Sequence, residues 1–153
     1  MRRFPRTLAL LTLAAGWLAP PASAQRLPVD VTPSHYDLSF DVDLANARFT
    51  GTETIRVDLA QPARAIVLNA AEITFRDVTI QSGTATQTAT VALNDERQTA
   101  TLTVPRALPR GPAQIHITYG GILNDKLRGF YLSTEKDQRI AVTQLEATDA
   151  RRW

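Results

Sequence analysis

His35-Tyr36-Asp37-Leu38-Ser39-Phe40-Asp41-Val42-Asp43-Leu44 alternates at every step. Tyr36, Leu38, Phe40, Val42 and Leu44 share one phase, and Asp37, Ser39, Asp41 and Asp43 share the other. Successive side chains of an extended chain point to opposite faces, so this pattern predicts a half-buried strand with one wet face. Ala45-Asn46-Ala47-Arg48 then reads as a hairpin turn. A returning strand carries Phe49, Ile55, Val57 and Leu59 in one phase and Thr50, Thr52, Thr54, Arg56 and Asp58 in the other. Gly51 and Glu53 fall in the apolar phase, which predicts either a bulge or a strand running past the edge of the core.

The same grammar extends down the chain. Gln61-Pro62-Ala63 breaks the pattern, and Ile66-Val67-Leu68 is a short apolar run compatible with a strand covered on both faces. Ile73 to Ile80 alternates with a slip at Arg76-Asp77. Thr84 to Val104 is rich in Thr, Val and Ala. Asn94-Asp95-Glu96-Arg97 divides it, so a second hairpin is expected rather than a flexible linker. Pro105 to Pro112 reads as a turn. Ile115, Ile117 and Tyr119 restore period two, and Gly120-Gly121 is expected to end that strand. Two more short strands are expected near Phe130–Leu132 and Ile140–Thr143. No segment after the first two dozen residues keeps a helical period. The prediction is all-β: an antiparallel β-sandwich or saddle-shaped sheet.

Upstream lies a different kind of segment. Arg2, Arg3 and Arg6 make a basic start, Leu8 to Leu18 is apolar and short, and Ala22-Ser23-Ala24 is a small-residue cleavage pattern. Residues 1–24 therefore read as a signal peptide, with the β-domain over 25–153 and an exported destination, periplasmic or extracellular. The alternative is an anchor that stays attached; the paired arginines hint only faintly at a twin-arginine route. The chain has 17 Lys plus Arg against 15 Asp plus Glu, a formal +2. Residues 1–24 hold three of the arginines and no acid, so without them 14 basic face 15 acidic residues and the net is −1. That balance offers no basic face for nucleic acid. There is no cysteine, which excludes thiol catalysis, thiolate zinc and disulfides.

The densest chemistry is at the far end: Thr143-Gln144-Leu145-Glu146-Ala147-Thr148-Asp149-Ala150-Arg151-Arg152-Trp153. Read from residue types alone, Glu146 is a solvated strand-end carboxylate, and Arg151 and Arg152 are surface or interdomain salt-bridge residues. Trp153 reads as an exposed indole at an interface. His35 beside Tyr36 reads as a strand residue with a local hydrogen bond, and His116 as solvent-facing. Asp41 and Asp43 share a wet face and lack the glycine-bearing loop of a calcium site.

Two motifs carry a family resemblance. Thr143 to Arg152 resembles the Thr-Gln-x-Glu-Ala-Thr-Asp-Ala-Arg-Arg segment that ends the N-terminal β-domain of the M1 zinc aminopeptidases, the group of aminopeptidase N and puromycin-sensitive aminopeptidase. Tyr119 to Ser133 is similar to that family's Tyr-x-Gly-x-Leu-Asn-Asp-x-Leu-x-Gly-Phe-Tyr pattern. Pro33-Ser34-His35-Tyr36-Asp37-Leu38, Phe49-Thr50-Gly51 and Ile66-Val67-Leu68-Asn69-Ala70 resemble earlier stretches of it.

The resemblance implies the front piece of a larger exported enzyme, truncated before its catalytic domain, which would be its missing partner. It implies that Glu146 binds the substrate's α-ammonium and that Gln144 contributes to the first side-chain pocket. It implies zinc in the complete enzymes. This chain has only His35 and His116, no His-Glu-x-x-His, and no Met beyond Met1. No catalytic residue, metal ligand or cofactor is therefore assigned within it, and it is expected to be inactive alone. The alternative reading is a stand-alone, non-catalytic β-sandwich that binds peptide or protein; for a sugar-binding module there is no aromatic platform.

Overall fold

The structure is a computed structural model, and it describes residues 26–146 and 148–152. The expected leader over residues 1–24 and the indole of Trp153 lie outside them. Among the described residues ten strands follow in order: β1 (Val31–Asp43), β2 (Arg48–Leu59), β3 (Ala63–Asn69), β4 (Ile73–Ser82), β5 (Ala85–Thr88), β6 (Thr90–Asn94), β7 (Thr99–Leu108), β8 (Gly111–Ile122), β9 (Gly129–Glu135) and β10 (Gln138–Gln144). A 3-10 turn, Ala150–Arg152, closes the series. The all-β expectation holds.

Two antiparallel sheets face each other, and a hairpin covers one end. The larger has the order β1-β2-β8-β4-β5, the smaller β3-β7-β6, and β9 pairs with β10. The core lies between them. Ile55, Val57 and Leu59 of β2, Ile115 and Ile117 of β8, and Val78 and Ile80 of β4 meet Ile66, Leu102 and Val104 of the smaller sheet. Burial of such side chains contributes about 1.5–3 kcal/mol each before entropic costs. The chain crosses from one sheet to the other at Ala89, whose N–H donates to Val78 O at 2.9 Å. That single buried residue splits the Thr-rich stretch into β5 on one sheet and β6 on the other. The expected hairpin at Asn94 forms between β6 and β7, with Asn94 Oδ1 accepting from Arg97 N at 2.9 Å.

Several expectations need correction. The second strand has no bulge: β2 keeps unbroken register with β1 beyond His35 and with β8 throughout. Gly51 is in the apolar phase because its cross-strand partner is Tyr119, and a Cβ there would lie 2.7 Å from Tyr119 Cζ. Gly120-Gly121 does not end a strand, since β8 runs on to Ile122. Gly121 pairs with Phe49, and its missing side chain is the space the Phe49 ring fills. Two aromatic–glycine pairs thus cross the β2–β8 ladder in opposite senses.

The expected turn from Pro105 to Pro112 shrinks to Pro109-Arg110, because β7 continues to Leu108. Pro105, lacking an N–H, sits where β3 loses register between Ala63 and Ala65. The slip at Arg76-Asp77 is an irregularity, between Phe75 and Asp77 in the β4–β8 ladder. Of the run Ile66-Val67-Leu68, only Ile66 is fully buried, so it is not covered on both faces.

Candidate functional site

The C-terminal stretch is stitched to the sandwich by its backbone and by one buried cation. Ala71 N donates to Arg151 O at 2.8 Å, which ties the 3-10 turn to the link between β3 and β4. Arg152 makes salt bridges, as expected of a surface or interdomain salt-bridge residue, but it is buried rather than at the surface. Its Nη1 donates to Asp149 Oδ1 at 3.2 Å and to Thr148 O at 3.0 Å, and its Nε lies 3.8 Å from Glu72 Oε2. Glu72 also meets Lys126 at 3.8 Å. The physical reason is packing: a guanidinium can be desolvated when carboxylates on two elements and a carbonyl surround it. Arg151 is half-buried and donates to Gln98 Oε1 at 3.4 Å.

This anchoring fixes where the two expected binding residues sit. Gln144 is the last residue of β10, paired with Gly129, and is exposed. Glu146 is exposed two residues on; its carbonyl accepts from Asp149 N at 2.8 Å. Its carboxylate makes no hydrogen bond or ion pair with any described residue. It is a free acceptor held on a backbone turn, beside a buried ion pair. Gln144 and Glu146 share one short segment, and neither lines the cavity beside Glu53 and Tyr119.

The histidines do not approach one another's chemistry. His35 Nε2 lies 3.1 Å from Asp37 Oδ1 on β1, and His116 Nδ1 lies 3.1 Å from Thr54 Oγ1 across the β8–β2 ladder. Both are exposed. Asp43 uses its carboxylate on the hairpin, accepting from Asn46 Nδ2 at 2.6 Å and Asn46 N at 3.0 Å, which holds its pKa below the usual value. Among the described residues no three His, Cys, Asp or Glu side chains gather where a metal could sit. These residues do not fit the zinc that the resemblance implies for complete enzymes.

A second constellation was missed at the level of sequence. Glu53 stands on the apolar face of β2, between Leu38 of β1 and Ile117 of β8. Desolvation pushes its carboxyl up to about 7. Tyr119 is fully buried and its hydroxyl has no partner among the described residues; burial, then the nearby Glu53, raises its pKa. The same two causes raise Tyr36. The signal in the sequence was the carboxylate in the wrong phase, which a bulge would have explained away.

Comparison with known proteins agrees with the two motifs. Residues 32–153 match the Peptidase M1 N-terminal domain family. Aminopeptidase M1 of Arabidopsis thaliana is 38% identical over 136 residues, covering 83% of this chain and 16% of that protein. Aminopeptidase N of Acetobacter pasteurianus is 33% identical over 163 residues, covering 96% of this chain and 45% of that protein. The alanine/arginine aminopeptidase of Saccharomyces cerevisiae is 34% identical over 142 residues, covering 85% of this chain and 16% of that protein. The chain thus spans less than half the length of each of these relatives. It belongs to the Peptidase M1 N-terminal domain family.

Proposed function

We propose that this chain is the N-terminal, substrate-site-forming part of an exported aminopeptidase that removes residues from the amino ends of peptides. Its share of the work is recognition. A protonated α-amino group presents several N–H donors, and a carboxylate free of other partners is the acceptor that holds it in place. Glu146 has that character, and Gln144 beside it offers an amide to the first side-chain pocket. The observation that carries the reading is Glu146 itself: an exposed carboxylate with no partner among the described residues, held on a backbone turn in a segment matching the family.

The hydrolytic machinery, including zinc, would belong to a catalytic part outside these residues, and the chain alone would be inactive. Residues 1–24 would be the signal peptide that sends it to the periplasm or the exterior. A stand-alone binding module is the rival, but no observed feature favours it over the family reading.

The test is Glu146→Ala in a longer aminopeptidase that contains this chain. Losing a charge-assisted contact to the amine should raise KM, lower kcat and cut kcat/KM by about 10- to 100-fold. An unchanged kcat/KM would remove Glu146 from substrate binding.

A further inference from the structure

A cavity of about 430 Å³ opens on the apolar face of the larger sheet, with Ala150 and Arg151 of the 3-10 turn also in its lining. Tyr36 and Leu38 of β1, Phe75 of β4 and Ile117 of β8 are among the apolar side chains that wall it. Glu53 stands within that wall, and no described residue gives it a hydrogen bond or an ion pair. Tyr119 lines the same cavity, is 1% exposed, and carries a buried hydroxyl without a partner among the described residues. Arg151 reaches the rim, but its guanidinium donates to Gln98 Oε1 and makes no ion pair with Glu53. Buried polar groups are nearly always satisfied, so the orphaned Tyr119 hydroxyl, beside the half-buried and unpartnered carboxyl of Glu53, points to something that satisfies both.

The chemistry of the orphans narrows what that is. A carboxylate only accepts, and a phenol oxygen can accept as well as donate. A compact ammonium has three donors and no acceptor, so one head group can serve both. The aliphatic and aromatic walls suit a short alkyl chain behind it, and the volume is that of a small-ligand pocket.

We propose that this cavity is a binding site for an aliphatic primary ammonium, with its N–H groups on Glu53 and Tyr119 and its chain against Tyr36, Leu38 and Phe75. The site is separate from Glu146 and does not depend on the role given to that residue. A cation there restores the ionised form of Glu53 that desolvation disfavours.

The test is a titration of hexylammonium into the full chain above neutral pH, followed by calorimetry and by the Glu53 carboxyl resonance. Hexanol, the neutral analogue of equal length, should bind at least about tenfold more weakly, because it lacks the charge that Glu53 answers. Glu53→Gln should abolish that preference, and Tyr119→Phe, which keeps the ring over Gly51, should weaken binding several-fold. The Glu53 resonance should titrate at lower pH once the amine is bound. Equal binding of hexanol, undiminished binding by Glu53→Gln, or no binding of hexylammonium would each overturn the proposal. Binding by the isolated chain but not by a longer protein containing it would support a lysine of that protein as the ammonium. Binding by both would support a free amine.

Discussion

The two ends of one sheet face differ more than their sequences do. At one end Phe40, Phe49, Tyr119 and Phe130 form a ring cluster, with Phe49–Phe130 centroids 4.9 Å apart and Phe40–Phe130 5.4 Å apart. At the other end Tyr36 and Leu38, in the same phase of the same strand as Phe40, are 51% and 37% exposed. The difference is the cover. The β9–β10 hairpin brings Phe130, with Leu132 and Ala141 packed beside it, over the first end. Over the second, Leu68, Ala70, Ala150 and Arg151 share a cavity lining with Tyr36 and Leu38 and leave both partly exposed. Alternation therefore says which side chains share a face; whether that face is covered depends on a hairpin some ninety residues further along (from Phe40 to Phe130).

The closed end should be the costlier to break. Phe49 is 2% exposed, touches three other rings and fills the space above Gly121. Truncating it removes a large buried ring and leaves a cavity between two strands whose backbones cannot close up. Phe49→Ala should cost about 3–5 kcal/mol in denaturant unfolding. A loss under about 1 kcal/mol would mean that the cluster does not hold the hairpin to the sheet.

Much of this fold was legible because its strands obey a period of two. β1, β2, β7 and β8 declare themselves by alternation, and the hairpins at Asn46 and Asn94 by turn residues. What stayed hidden depends on pairs distant in sequence. Gly51 and Gly121 looked like a bulge and a strand end because their aromatic partners, Tyr119 and Phe49, lie on the neighbouring strand. Arg152 looked like a surface residue because Glu72, which helps to desolvate it, is on another element. At the candidate sites, Glu146 and Gln144 could be singled out only through the resemblance, since an exposed carboxylate at a strand end has no pattern of its own. Glu53 was visible as an out-of-phase acid, but its burial depends on Leu38 and Ile117 flanking it.

The open end makes a smaller, pH-dependent prediction. Glu53 ionises at about 7 in the folded chain against an ordinary 4.5, and the cause is desolvation. Between those values the folded chain holds a proton that the unfolded chain has released. The contribution to stability is therefore full below about 4.5 and is lost as pH rises through about 7. The loss should reach at most about 3 kcal/mol, less where water enters the cavity. Tyr36, Tyr119 and Arg151 are the other ionisable groups lining it; burial raises both phenols, so they stay neutral across this range. Denaturant titrations across the range should show the slope in the parent and its disappearance in Glu53→Gln. A slope that survives the substitution would locate the titrating group elsewhere.

The smallest effect is expected at Leu38, and its smallness is informative. Leu38 and Phe40 are two residues apart on one face, yet Leu38 is exposed while Phe40 packs on the core. Leu38→Ser removes apolar area that water already reaches, so the isolated chain should lose no more than about 0.5 kcal/mol. In a longer protein that covers this end of the sheet, the same substitution should cost about 1–3 kcal/mol, as burial of a leucine side chain requires. Unfolding of the two proteins, each with and without the substitution, reads the difference directly. Equal small losses in both would mean that the open end stays open in the larger molecule. A large loss confined to the longer protein would show that Tyr36 and Leu38 form a face finished by another part of the polypeptide, as β9 and β10 finish the face around Phe40.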